Sequence, residues 1–99
     1  MIINNKVEAN MIEITNIQIR HTKVESSRLK AIASILIDDC FAVHDIKIIE
    51  GTEGLFIAMP SKKAPNGNFN DIVHPINSET RELLSNAILN AYNESIKNN

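Results

Sequence analysis

The sequence predicts an α+β domain, a four-stranded antiparallel sheet packed by one C-terminal helix, and three observations predict it. Between residues 11 and 59 apolar side chains recur with period two and are broken by turn residues, the pattern of strands joined in series. Between 78 and 95 the period changes to that of a helix. Ile occurs 17 times against four aromatic residues, Phe41, Phe56, Phe69 and Tyr92, so the core is built from β-branched aliphatics, which favour a sheet over a bundle. With 99 residues, 43% of them apolar, the chain supplies one core and not two.

Met1 to Asn10 is Asn-rich and follows neither period, so it reads as a disordered N-terminal extension; the domain runs over 11–96 and a short tail over 97–99. In the first strand Ile12 and Ile14 alternate with polar residues, and Ile17 and Ile19 resume in the opposite phase, which implies a bulge near Thr15-Asn16. His21 to Ser27 is polar and reads as a connection. Leu29 to Ile37 is apolar on both faces, with Leu29, Ala31, Ala33, Ile35 and Ile37 on one side and Ile32 and Leu36 on the other. Asp38-Asp39 tolerates turn geometry and joins Ile37 to Phe41 in a tight hairpin.

The third strand, Phe41 to Ile49, slips phase at His44-Asp45, a second candidate bulge that sets Phe41 and Val43 on one face and Ile46 and Ile48 on the other. Gly51 to Gly54 turns the chain into a short fourth strand, Leu55 to Met59, which Pro60 ends. Pro60 to Pro75 reads as a long loop, and loops of that length in small domains are usually functional or mobile. Asn77 or Ser78 caps the helix, Glu79 and Glu82 suit the positive end of its dipole, and it runs to about Ser95. Thr80, Leu83, Leu84, Ala87, Ile88, Ala91 and Tyr92 form its sheet-facing stripe; Leu89 and Ile96 fall outside. One helix covers one sheet face, yet the second and third strands are apolar on both. A second copy of the chain is the simplest further cover, so a homodimer through a sheet edge or the exposed face is expected.

Ten Lys plus Arg against twelve Asp plus Glu gives a net charge of −2, which argues against an obligate nucleic-acid coat and leaves polyanion binding to a local patch. Cys40 has no partner for an internal disulfide and fits a reducing, cytoplasmic setting. No apolar run approaches the ~20 residues of a membrane span, and no secretory signal opens the chain, so neither membrane insertion nor export is expected. On a strand Cys40 and His44 stand ~13 Å apart, too far for a thiol and its base, so Cys40 reads as an apolar filler beside the hairpin. His21, His44 and His74 lack metal-ligand spacing, and Gly51 and Gly54 precede a strand instead of a helix, so no metal, cofactor or catalytic residue is expected. His44-Asp45 reads as a polar pair serving the bulge, and His74-Pro75 as a helix entry.

Lys62-Lys63 differs from these, because it lies in the proline-flanked loop among Ser61, Asn66, Asn68 and Asn70, side chains able to meet phosphate oxygens or base edges. A solvated loop accounts for the pair equally well on spacing alone. Two lysines neutralise about two phosphates, so strong binding requires a dimer that doubles the patch, with Lys47, Arg81 or Lys97 joining it.

The run Phe56-Ile57-Ala58-Met59-Pro60-Ser61-Lys62-Lys63, followed by Asp71-Ile72-Val73-His74-Pro75-Ile76-Asn77, resembles the SpoVG (stage V sporulation protein G) family of septation proteins. The resemblance extends upstream through 29–34 and 41–49 and downstream from Ser78 to Tyr92, with Thr80-Arg81 at the helix start; Met11 to Ile17 is similar to the family's usual beginning. It implies a dimeric bacterial regulator linked to septation and sporulation control that binds DNA and RNA and has no enzymatic activity. Carried over by position, Lys62, Lys63 and Arg81 are the implied nucleic-acid contacts. The chain departs from the family in its tail, where only Lys97 precedes Asn98-Asn99 in place of a more basic stretch. An interaction module of the division or sporulation machinery, engaging protein partners without nucleic acid, is the competing reading.

Overall fold

Four strands, β1 (Ile14–His21), β2 (Leu29–Ile37), β3 (Phe41–Gly51) and β4 (Gly54–Ala58), pair as antiparallel neighbours in chain order. The computed structural model describes residues 12–22 and 27–97. The extension expected over 1–10 therefore lies outside the described residues, as does most of the connection between β1 and β2. His21 is the last residue of β1 and not part of that connection, because its backbone pairs with Ala31 of β2; its ring reaches the helix (below).

Both expected bulges are present, and both act to hold one face constant. The register between β1 and β2 shifts between Ile14 and Asn16, making Thr15 the extra residue. Ile12, Ile14, Ile17 and Ile19 consequently all pack against one buried cluster despite their opposite phases. Thr15 is tied into the adjacent turn: its Oγ1 donates to Leu36 O at 3.4 Å and accepts from the Asp39 amide at 3.1 Å. On β3, Ala33 pairs with Ile46 and Ile35 with Val43, so His44 and Asp45 together face Ser34 alone. Asp45 adopts φ of 64°, a left-handed conformation that an Asp tolerates better than most residues. The slip does not divide the apolar residues between two faces as expected; Val43, Ile46 and Ile48 are all buried on the same one.

The hairpin joining β2 to β3 turns through Asp38 and Asp39, with φ of 53° and 57°, and closes with the Cys40 amide donating to Ile37 O at 3.0 Å. Two successive left-handed residues match the right-handed twist of the flanking strands. Asp38 also anchors the chain entering β1, its amide donating to Glu13 O and its carboxylate accepting from the Glu13 amide. Cys40 is exposed at this turn and fills no core space, contrary to expectation.

Helix α1 (Ser78–Lys97) lies on one face of the sheet. Asn77 caps it, its Oδ1 accepting from the Thr80 amide at 2.8 Å. Leu84, Ile88 and Tyr92, spaced by four, enter the core beside Ala31, Ala33 and Ile35 of β2. Leu89, expected outside the stripe, packs partly against that core, whereas Ile96 is exposed. The other face of β2, with Ile32 and Leu36, is only half-buried, as two-sided patterning predicts.

The expected long loop holds structure of its own. β5 (Ser61–Lys63) and β6 (Phe69–Asp71) form a separate two-stranded antiparallel sheet. Ala64 and Asn68 flank a three-residue turn, Pro65-Asn66-Gly67, in which the Gly67 amide donates to Ala64 O and the Ala64 amide to Asn68 O. Gly67 has φ of 91°, the position where such turns need glycine. We call this hairpin the arm.

Candidate nucleic-acid interface

The cations singled out from sequence fall into two groups in space. Lys62 and Lys63 lie on β5 and are exposed, with partners Asn70 and Phe69 across the arm. Adjacent residues of a strand point to opposite faces, so each lysine serves a different face of the arm. Lys47 lies on the sheet face away from the helix, opposite Ile32 and Ala58, and lines a depression with Pro60, Ser61 and Ile72 at the base of the arm. The fold thus brings Lys47 and the arm together.

Arg81 and Lys97 belong to the helix side. Arg81 is the fourth residue of α1, separated from the arm by the segment 72–77 and the start of the helix, and is exposed; Lys97 ends the helix, about 24 Å further along its axis. Lys97 pairs with Glu94 at 3.8 Å, an exposed contact worth little. Lys47, Lys62, Lys63 and Arg81 have no ion-pair partner among the described residues. Their full charge is available to an incoming anion.

Sequence reasoning missed Arg20. It sits on β1 between the inward-facing Ile19 and His21, hence on the helix-free face, where it is exposed and without an ion-pair partner among the described residues. Its alternation with Ile17 and Ile19 was the available signal. Lys30, on the neighbouring strand, contacts Glu50 at 3.3 Å. The other missed feature is the arm itself, whose signal was Pro65-Asn66-Gly67 between Lys63 and Phe69. Among the described residues no group of three His, Cys, Asp or Glu side chains is arranged to hold a metal ion, and no helix is long and apolar enough to cross a membrane.

A four-stranded sheet covered on one face by one helix, with a lysine-bearing arm next to its uncovered face, defines a small α+β domain with exposed cations on that side. The chain belongs to the SpoVG family, whose model matches residues 12–94. It is 56% identical over 87 residues to "Putative septation protein SpoVG" of Agathobacter rectalis, covering 88% of this chain and 99% of that one. The protein of the same name from Clostridium perfringens is 54% identical, covering 88% and 94%, and that from Clostridioides difficile 52% identical, covering 86% and 91%. The name these relatives carry refers to septation and to no enzymatic reaction.

Proposed function

We propose that this chain is a dimeric, non-enzymatic regulator of the bacterial cytoplasm that binds DNA or RNA, and through that binding modulates gene expression and septation or sporulation. The observation that carries the reading is the exposed set Lys62, Lys63 and Lys47 at the arm, none with an ion-pair partner among the described residues. Solvated, unpaired ammonium groups attract phosphate oxygens and release condensed counterions when they do so. Arg81, exposed at the helix start, is a further cation of this reading; Lys97 is paired with Glu94 and contributes least.

A salt series tests this. Log affinity for a mixed-sequence DNA or RNA should fall linearly with log salt, and Lys62→Ala with Lys63→Ala should reduce the slope of a dimer by roughly three to four, nearly one for each arm lysine that its two chains lose. Absence of binding at low and near-physiological salt alike, roughly 50 mM and 150 mM, would end the reading. The competing reading, a protein-interaction module, is favoured by the exposed apolar side chains Phe69, Ile72 and Ile76 around the arm. Partners that co-purify in high salt after nuclease treatment would support it, and partners that disappear under those conditions would support the regulator.

A further inference from the structure

The helix-free face of the sheet is furrowed along β2. Three depressions share their walls in sequence: the first meets the second at Gln18, Ser34 and His44, and the second meets the third at Ile32 and Asp45. Together they form one trough. Leu36, Ser34 and Ile32 are its floor, spanning about 13 Å along the strand, and the third depression continues to the base of the arm. Its banks are the neighbouring strands, two strand spacings or roughly 10 Å apart.

The banks have an ordered chemistry. Asn16 and Gln18 stand on the β1 side, each offering both a donor and an acceptor, and Arg20 follows them. On the β3 side His44 is held by its Nδ1 contact to Ser34 Oγ at 3.1 Å, with Asp45 and Lys47 beyond it. The bulge creates this bank, because it turns two consecutive side chains, His44 and Asp45, toward a single floor residue. Amides, an imidazole ring and an apolar floor suit flat heteroaromatic groups. The carboxylate of Asp45 repels a phosphodiester backbone but accepts hydrogen bonds from the exocyclic amines of bases.

Resting on the nucleic-acid reading above, we infer that this trough is the site for a single strand of RNA or DNA, laid along β2 with bases toward the floor and its phosphates directed to Arg20, Lys47 and the arm. A double helix keeps its bases stacked inside, and would bring phosphates against Asp45 across a channel too narrow to admit it. Single strands bind sheet surfaces by stacking and base-edge hydrogen bonds supported by peripheral cations. The arm supplies most of the charge and the trough supplies the selectivity.

Fluorescence anisotropy with a labelled 12-mer, as single-stranded RNA, single-stranded DNA and duplex DNA, tests the inference in wild type, in Gln18→Ala/His44→Ala and in Lys62→Ala/Lys63→Ala. The expected result is tighter binding of single strands than duplex, and an approximately tenfold loss of single-strand affinity in the trough variant with an unchanged salt slope. The lysine variant should lower the slope for every ligand. RNA and DNA single strands that bind alike assign the site to bases and phosphates, and a preference for RNA adds the 2′-hydroxyl. Amide shift changes at Gln18, Ser34 and Asp45 on adding unlabelled strand report the site in the unmodified protein. Duplex preferred over single strands, or single-strand binding that leaves those amides and the trough variant unaffected, overturns the trough while leaving the arm reading intact. No binding of any nucleic acid overturns both.

Discussion

His21 and Ser95 join the end of β1 to the last turns of α1, and their hydrogens can be assigned from geometry. Ser95 Oγ lies 2.6 Å from Tyr92 O, a carbonyl that can only accept, so the Ser95 hydroxyl spends its hydrogen there. Only lone pairs remain for His21 Nε2 at 2.8 Å, and that nitrogen carries the hydrogen of their contact. The ring also stands 5.4 Å from that of Tyr92. Ser95→Ala therefore leaves a half-buried N–H without its acceptor, a cost of about 1–3 kcal/mol, whereas His21→Phe removes the donor, keeps a ring beside Tyr92, and costs about 0.5–1.5 kcal/mol. Urea denaturation should rank Ser95→Ala as the more destabilising of the two. The opposite order would mean that the hydrogen had been placed on the wrong partner.

At the scale of elements, the strands, their turns and the helix were legible because each advertises itself locally, by period two, by Asp38-Asp39 and Gly51 to Gly54, and by the stripe ending in Tyr92. The phase slips at Thr15 and His44-Asp45 were legible as bulges, but their effect was not. A bulge resets the face of one strand relative to its partner, and no pattern within β3 alone reveals that Val43 rejoins Ile46 and Ile48 under the helix. The arm escaped for a related reason: Ser61–Lys63 and Phe69–Asp71 are three residues each, too short to show a period, and only their turn is distinctive. The trough, too, is assembled by pairing across three strands: alternation alone sets Arg20 on the outer face of β1, but only the pairing shows that this face shares a furrow with His44 and Asp45.

The turn of the arm gives a prediction at this scale. A branched side chain at Gly67, with φ of 91°, is strained by about 1–2 kcal/mol, and the arm has only three strand pairs with which to resist. Gly67→Val should speed amide exchange at Lys63, Ala64 and Asn68, leave exchange at Ile46, Ile48 and Ile88 unchanged, and shift the melting temperature little. It should also weaken nucleic-acid binding, since Lys62 and Lys63 are then no longer held in place. Slower folding or a lowered melting temperature would show instead that the arm is part of the cooperative core.

For the whole molecule the question is what covers Phe69, Ile72 and Ile76, of which Ile76 is 89% exposed and Phe69 68%. They fall within eight residues, from Phe69 at the start of β6 to Ile76 beside the cap of α1, outside the core made by helix and sheet. A second copy docked there through a two-fold axis would bury both sets at once and place two arms, with four arm lysines, on one assembly. Ile72 also lines the arm end of the trough, so such a pairing would border that end and leave the stretch from Asn16 to His44 open. Because log affinity scales with the number of phosphates neutralised, a dimer should roughly double the salt slope of a single protomer, which a chain of net charge −2 requires for useful binding near physiological salt. Sedimentation at micromolar concentration should thus give twice the 11.0 kDa of one chain. Phe69→Asp/Ile76→Asp should give a folded single chain, since neither side chain belongs to the core, with a salt slope near half that of wild type. Wild type sedimenting as a folded single chain would refute the pairing, and a dimer that persists unchanged in the double variant would move the interface to a sheet edge.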